Sequence, residues 1–281
     1  MELKFTKMHG CGNDYIYFDC INNPLIANPN ELSVILSDRH YGIGGDGIIL
    51  ICKSDVANAK MRMFNLDGSE GKMCGNGIRC VAKYLFDNKI VTKKDFTIET
   101  LSGIKKINIK SLSGLADLIT VDMGAPNLNA KDVPVNISKD FVINHPLKIG
   151  THMYNITCVS MGNPHCVVFC DYDIEKIDIN KIGPLFENNE IFPEKVNAEF
   201  VQILNKNTLK MRVWERGSGE TFACGTGACA SAVAAVENKI FNKNEEINVI
   251  LKGGELSIKY TDETVYMTGN AEKVFDGIVD V

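Results

Sequence analysis

Cys74-Gly75-Asn76-Gly77 returns 150 positions later as Cys224-Gly225-Thr226-Gly227. Repetition at one fixed offset is the mark of a duplicated structural unit, so we expect two halves that share one fold. A duplicated scaffold that preserved only its turns would explain the glycines, but it explains the paired cysteines and asparagines less well. The neighbouring strings that repeat in the same register are Gly12-Asn13 with Gly162-Asn163, Met61-Arg62-Met63-Phe64 with Met211-Arg212-Val213-Trp214, and Asn88-Lys89-Ile90 with Asn238-Lys239-Ile240.

Each half has the same predicted order of elements. Short runs of β-branched and aromatic residues predict strands, and the apolar spacing after each Cys-Gly-x-Gly string predicts a helix that stops at the Asn-Lys pair. The predicted fold class is α+β, with two pseudo-symmetric duplicated halves, each a strand-rich sheet or barrel around a central helix, and the active site in the cleft between them. The predicted strand segments are 4–17, 48–52, 59–64 and 96–109 in the first half, and 157–169, 200–204, 208–214 and 247–260 in the second.

The C-terminal segment of the chain is expected to belong to the first half. Residues 265–281 resemble residues 119–126, which suggests that the end of the chain packs back on the first half. We therefore expect an N-terminal half of residues 1–118 plus 265–281, carrying Cys74, and a C-terminal half of residues 119–264, carrying Cys224.

The composition narrows the class of protein. The 281 residues are 45% hydrophobic and 23% charged, with a net charge of −5, which suits a protein with a full core and argues against nucleic acid as the main partner. No stretch approaches the roughly 20 apolar residues that span a bilayer, and the first ten residues lack a signal-peptide core. We expect a cytoplasmic enzyme with no membrane partner.

The ten cysteines are expected to remain reduced in the cytosol. The spacings Cys74–Cys80, Cys166–Cys170 and Cys224–Cys229 contain no Cys-x-x-Cys pair, so no metal site is predicted. Most of these cysteines are interpreted as small buried apolar residues.

Cys74 and Cys224 differ from the others because each stands where a loop becomes a helix. The positive end of a helix stabilises a thiolate, so we expect a lowered pKa for both thiols. Two symmetric acid–base groups suit the inversion of a stereocentre, in which one group removes a proton and the other delivers one to the opposite face. A buried thiol at a tight turn, and a thiol redox protein with a peroxidatic and a resolving cysteine, remain alternatives.

Taken with their lead-in sequences, these strings resemble the diaminopimelate epimerases along almost the whole chain. Proline racemases and phenazine-biosynthesis isomerases share the duplication, but the lead-in to Cys224 is similar to the epimerase string. The strings that carry the resemblance are KMHGCGNDY (7–15), RHYGIGGDG (39–47), FNLDGSEGKMCGNGIRC (64–80), SMGNPHCVV (160–168), FPEKVNAEF (192–200), ERGSGETFACGTGACA (215–230) and YMTG (266–269).

The resemblance implies interconversion of LL- and meso-2,6-diaminopimelate, in lysine and cell-wall precursor biosynthesis, by a homodimer that uses neither pyridoxal phosphate nor metal. It implies that Cys74 and Cys224 are the catalytic acid/bases and that His165 and Glu215 tune their pKa. Some relatives carry Gln at the position of Gly47, where this chain offers only backbone. The substrate-binding positions that the resemblance implies are Asn13, Gly47, Asn65, Gly75, Asn76, Asn163, Asn197, Glu215, Arg216, Gly225 and Thr226.

Each of these residues also has a structural interpretation. Asparagine beside glycine often forms turns, and Asp14, Asp46 and Asp67 are interpreted in the same way. His165 could be a satisfied loop histidine, and Glu215-Arg216 a solvated pair. Against this, a substrate with two amino-acid ends needs both charges recognised, and arginine suits a carboxylate gripped at two points.

Overall fold

The computed structural model describes residues 2–281. The chain divides into two compact units: the described residues up to Asp122 together with Thr268–Val281, and Met123–Met267. The predicted boundaries at 118/119 and 264/265 fall a few residues earlier.

The helices are α1 (Pro29–Ser37), α2 (Gly75–Asp87), α3 (Ile179–Glu187) and α4 (Gly225–Glu237), and a 3₁₀ turn covers Ile174–Lys176. The strands are β1 (Glu2–Gly10), β2 (Asn13–Asp19), β3 (Gly47–Cys52), β4 (Ala59–Asn65), β5 (Glu70–Gly71), β6 (Asp95–Thr100), β7 (Gly103–Leu112), β8 (Leu115–Gly124), β9 (His145–Ile149), β10 (His152–Ser160), β11 (Pro164–Cys170), β12 (Asn197–Asn205), β13 (Thr208–Glu215), β14 (Gly219–Glu220), β15 (Glu246–Leu251), β16 (Gly254–Tyr260), β17 (Val265–Gly269) and β18 (Glu272–Asp280).

The first unit is a mixed sheet packed against α2. Strand β1 pairs antiparallel with β2 and with β18, so the C-terminal segment packs on the first half as its sequence predicts. Strand β2 runs parallel to β3, which pairs antiparallel with β4. The apolar face of α2 is fully buried at Ile78, Val81 and Leu85, and the helix contacts β1 and β2.

The second unit repeats this arrangement around α4. Strands β10 and β11 are antiparallel, β11 runs parallel to β12, and β12 pairs antiparallel with β13. Helix α4 packs against β10, β11, β12, β13, β15 and β16, and Ala228, Ala232 and Val233 are fully buried. The predicted class, an α+β fold of duplicated strand-rich halves around a helix, is confirmed.

The two central helices correspond closely. Each has 13 residues, begins after a cysteine N-cap and ends at an asparagine C-cap. The lysine after each asparagine has a left-handed backbone, with φ of 60° at Lys89 and 61° at Lys239. The predicted helices and their Asn-Lys stops are thereby confirmed.

Each unit also contains a second helix that the sequence pattern did not reveal, α1 in the first and α3 in the second. Helix α1 buries Leu32 and Leu36, and the Ser33 hydroxyl donates to the backbone oxygens of Phe64 and Asn65 at 3.0 and 2.7 Å. None of the helices in residues 2–281 has both the length and the apolar character needed to cross a membrane.

Candidate active site

Cys74 caps the N-terminus of α2 with its side chain. Its backbone is extended, with φ −125° and ψ 121°, and its Sγ accepts a hydrogen bond from the Gly77 N–H at 3.3 Å. Cysteine thus performs the capping role that serine or aspartate usually has, and the sulfur sits at the positive end of the helix. The thiol in turn donates to Asn13 Oδ1 at 3.2 Å.

The amide of Asn13 is oriented by Asp46. Asn13 Nδ2 donates to Asp46 Oδ2 at 2.7 Å, which leaves Asn13 Oδ1 toward the sulfur. Asp46 also accepts from the Asp14 backbone N–H at 3.1 Å and from Arg39 at 3.0 Å. Although burial opposes it, hydrogen bonds from Arg39 and Lys7 lower the pKa of Asp14. The turn interpretation of Asp46 therefore misses its contact with a predicted site residue.

Gly47 and Asn65 lie opposite each other on β3 and β4. Gly47 has φ +152°, and a Cβ placed on it would lie 2.1 Å from the Phe64 carbonyl oxygen. This backbone therefore excludes any side chain at residue 47, glutamine included. Asn65 Nδ2 donates to the Ser69 hydroxyl at 3.0 Å.

Asn76 is buried in the first turn of α2. Its Oδ1 accepts from Arg79 at 3.0 Å, and the same guanidinium donates to the Gly75 oxygen at 3.1 Å and to the Asn270 oxygen at 3.1 Å. Arg79 is fully buried, so it fixes the first turn of α2 from the inside. The side chain of Asn76 is therefore bound to Arg79 inside the protein. The predicted contribution of Asn76 to substrate binding is its backbone N–H in the first turn of α2.

Cys224 repeats the capping geometry in the second unit. Its Sγ accepts from the Gly227 N–H at 3.4 Å, and the Thr226 hydroxyl lies 3.4 Å from the sulfur. Asn163 Nδ2 donates to that hydroxyl at 3.3 Å. Cys224, Thr226 and Asn163 are all predicted site residues. They form one connected group beside the start of α4.

A buried pair extends this group. His165 Nε2 lies 3.0 Å from Asn163 Oδ1, and His165 Nδ1 lies 2.6 Å from Glu199 Oε1. Both side chains of the pair are fully buried. Glu199 was not among the predicted site residues. The signal that could have revealed it is an acidic residue inside the apolar stretch of β12, next to Phe200 and Val201.

The expectation of a lowered pKa is wrong for Cys224. Burial, followed by the negative charges of Glu215 and Glu199, raises the pKa of this thiol well above its ordinary value. The hydrogen bonds from Thr226 and the Gly227 N–H oppose the rise but are weaker. Spacing along the chain reveals the helix end, but it does not reveal carboxylates brought close by other strands. For Cys74 the lowered pKa stays a prediction.

Arg216 lies on the exposed turn after β13. Its backbone N–H donates to Asn197 Oδ1 at 3.0 Å, and Asn197 Nδ2 donates to the Pro164 oxygen at 2.9 Å. The guanidinium donates to the Glu194 oxygen at 2.9 Å. The Asn197 amide thus joins two backbone segments, and its predicted role as a substrate contact remains a prediction.

Glu187 and Thr221 form hydrogen bonds to the residues on either side of Arg216. Glu187 Oε1 accepts from the Gly217 N–H at 3.1 Å, while its Oε2 accepts from the Trp214 indole at 2.7 Å. Glu215 accepts a short hydrogen bond from the Thr221 hydroxyl. Glu215 and Arg216 are therefore adjacent in sequence but differently placed, the first half-buried and the second exposed.

Each unit taken by itself holds the parts of one acid–base site. A thiol caps a helix that can stabilise negative charge, and an asparagine amide contacts the thiol directly in one unit and through Thr226 in the other. Among residues 2–281 there is no group of three or more His, Cys, Asp or Glu side chains that could hold a metal ion.

Known proteins resemble this chain in sequence or in fold. Proteins named diaminopimelate epimerase from Methanococcus maripaludis and Agathobacter rectalis are 51% and 49% identical to this chain, and each alignment covers 99% of this chain and 100% of the relative. Among solved structures, a Bacillus anthracis phenazine biosynthesis protein superposes with a TM-score of 0.70 at 18% identity, covering 100% of both chains. A hydroxyproline epimerase from Agrobacterium vitis gives 0.69 at 13% identity, covering 99% of this chain and 92% of its own. These two likenesses concern the fold alone.

The sequence profile of the diaminopimelate epimerase family matches residues 5–129 and 157–274, which include both capping cysteines and the side chains around them. Together with relatives about half identical over nearly the full length, this match places the whole duplicated chain in one family. The chain belongs to the diaminopimelate epimerase family.

Proposed function

We propose that this protein interconverts LL- and meso-2,6-diaminopimelate by two-base proton transfer at the α-carbon, without a cofactor, in lysine and cell-wall precursor biosynthesis. The observation that carries the proposal is the repetition of one acid–base unit: a cysteine caps the same helix in each half and is associated with an asparagine at the same offset. The names of the relatives supply the substrate.

In this mechanism one cysteine, as a thiolate, removes the α-proton. The other, as a thiol, delivers a proton to the opposite face, and the roles exchange for the reverse reaction. Because its pKa is raised, Cys224 begins as the thiol, and we assign Cys74 as the base that begins the reaction from this state. Charge that develops on the substrate carboxylate is stabilised by the N–H groups at the N-termini of α2 and α4.

Recognition of the substrate involves both charges at its amino-acid ends. Arg216 is exposed, and the contacts given for it within residues 2–281 are one through its backbone N–H and one to a carbonyl oxygen, so its guanidinium can turn toward a carboxylate. Glu215, half-buried and held by Thr221, is placed to accept from an ammonium group. The side-chain amides of Asn13, Asn65 and Asn163 complete the proposed binding set.

The test is incubation of the purified protein with LL-diaminopimelate in deuterated water. We expect deuterium at the inverted α-carbon, measured by NMR, and formation of the meso isomer, measured by chiral chromatography. L-proline and trans-4-hydroxy-L-proline serve as matched negative substrates. Absence of both exchange and inversion, or exchange with the proline substrates alone, would overturn the proposal.

Arg216→Lys is expected to raise the KM for diaminopimelate at least tenfold while changing kcat much less. A lysine ammonium cannot reproduce the planar, two-point grip of a guanidinium on a carboxylate, and the loss corresponds to about 1.4 kcal/mol. Steady-state kinetics measure the effect. Lys210→Arg, an exchange of the same two residue types on β13, is the control and should leave both constants unchanged. A KM for Arg216→Lys equal to that of the unmodified protein would assign Arg216 to the solvated surface.

We further infer that the protein works in the cytoplasm as a homodimer. The dimer is implied by the resemblance to the family, and the location is implied by the composition and by a biosynthetic role. Analytical ultracentrifugation measures the mass directly. A species at the 31.0 kDa mass of one chain across the working concentration range would exclude the dimer.

A further inference from the structure

The surroundings of the two cysteines differ in charge although their scaffolds match. At the shared offset of 150, Tyr15 corresponds to His165, Ile49 to Glu199 and Asn65 to Glu215. Ile49 is fully buried, as Glu199 is. The second half therefore has a buried carboxylate where the first has a hydrocarbon side chain. Burying a carboxylate destabilises the fold, so we expect this carboxylate to have a function.

The position of Glu199 suggests what that function is. A Cβ built on Gly227 would lie 2.8 Å from Glu199 Oε1 and 3.3 Å from Cys224 Sγ. Both atoms therefore flank the first turn of α4, and only the absence of a side chain at Gly227 lets them approach it together. The carboxylate lies beside the sulfur on one side and beside the His165 imidazole on the other.

The hydrogen bonds fix the protons of the pair. Asn163 Oδ1 can only accept, so the Nε2 of His165 carries a hydrogen. Nδ1 and Glu199 Oε1, at 2.6 Å, share one further proton. Glu199 Oε2 has no hydrogen-bond partner among the described residues. His165 is thus the basic partner of a carboxyl group that is fully buried.

We propose that Glu199 is a positioning residue for Cys224: it holds the His165 imidazole with Nε2–H toward Asn163, and it places the carboxylate end of the His165–Glu199 pair beside the sulfur, which keeps Cys224 in the thiol form in the free enzyme. The inference deepens the two-base function proposed above and rests on it. It assigns the acid role to Cys224 through a residue that has no counterpart beside Cys74.

Other ionisable groups lie near the His165–Glu199 pair. Glu215, from β13, adds negative charge near both Glu199 and Cys224. Cys166, from β11, is buried, and burial, its neighbour Cys158 and Glu199 raise its pKa well above the ordinary value, so it stays neutral. At the start of α4, Cys224 itself is an ionisable group near the carboxylate. Burial raises the pKa of Glu199, and His165 opposes the rise.

The test follows the reaction of Cys224 with iodoacetamide as a function of pH, read by peptide mass spectrometry. Glu199→Gln keeps the shape and a hydrogen-bonding group but removes the charge. We expect the midpoint of the Cys224 profile to fall by about one pH unit or more, since a charge within a few ångströms in a buried site has at least that effect. The profile of Cys74 in the same sample should not move.

Glu237→Gln is the matched control. It removes a carboxylate from the last residue of the same helix, where Glu237 accepts from the Tyr260 hydroxyl, and it should leave the Cys224 midpoint unchanged. An unchanged or raised midpoint in Glu199→Gln would overturn the proposal, as would an equal shift in Glu237→Gln. A structural role alone would alter stability without a shift confined to Cys224.

The unmodified protein supplies a second measurement in case Glu199→Gln does not fold. Its Cys224 midpoint should lie above the ordinary thiol value of about 8.5, and a midpoint at or below that value would overturn the proposal. Alkylation needs no turnover. A shifted Cys224 profile in a protein that fails to epimerise diaminopimelate would therefore reject the proposed substrate and retain the role of Glu199.

Discussion

Cys74→Ala and Cys224→Ala are each expected to reduce epimerisation about a thousandfold or more. Each change removes the acid–base group for one face of the substrate carbon, and a positioned proton-transfer group contributes about 10²–10⁴ in rate. Both variants should remain folded. Each variant loses the capping hydrogen bond from Gly77 N–H or Gly227 N–H, which is worth about 1 kcal/mol, and Cys74→Ala also loses the bond to Asn13.

The measurement is inversion of diaminopimelate by each variant, with circular dichroism and thermal unfolding on the same preparation. Cys20→Ala and Cys170→Ala are matched controls, because they remove a half-buried and a buried thiol that cap no helix. They should retain full activity. Activity within tenfold of the unmodified protein in either Cys74→Ala or Cys224→Ala would rule out the two-base mechanism.

Gly47→Ala is expected to destabilise the first unit by about 3 kcal/mol or more. The new Cβ would lie 2.1 Å from a backbone oxygen on the neighbouring strand and 2.9 Å from the ring of Tyr15, so β3 and β4 would have to separate. The backbone conformation at residue 47, with φ +152°, adds strain for any residue except glycine. Urea unfolding followed by circular dichroism gives the change in stability.

Gly114→Ala separates the two causes. Gly114 also has a positive φ, of +85°, but nothing lies within 4 Å of an added Cβ. Its substitution should therefore cost only the conformational penalty, about 1–2 kcal/mol. If both variants lost the same stability, the clash at Gly47 would not exist, and a longer side chain such as glutamine could be accommodated there.

The repeat made much of the fold predictable. The helices that it did not predict, α1 and α3, were missed for physical reasons. Helix α3 contains Gly183 and Pro184, residues that normally end helices. Gly183 is there because a Cβ would lie 2.3 Å from the Trp214 indole, a tertiary contact that outweighs local propensity. In α1 the short apolar string Leu32 to Leu36 suits a strand as well as a helix, and its Ser33 contacts lie about 30 positions away in the sequence.

The candidate site was predictable where a residue acts through its own position in the repeat. The location of Cys74 and Cys224 at the starts of α2 and α4 follows from the glycine-rich strings that surround them. Glu199 was not predictable, because its partner His165 lies 34 positions away and meets it only through the parallel pairing of β11 with β12. The raised pKa of Cys224 escaped prediction for the same reason, since it depends on burial and on carboxylates from other strands.

Glu199 Oε2, without a hydrogen-bond partner among residues 2–281, marks a position where the proposed role in the reaction conflicts with stability. Glu199 occupies a fully buried position at which the duplicated copy has Ile49, so isoleucine is compatible with the same scaffold. An enzyme selected for thermal resistance alone would lose this carboxylate early, together with its histidine partner. Libraries screened for heat tolerance are therefore expected to collect hydrophobic residues at position 199 and to lose catalysis as they do so.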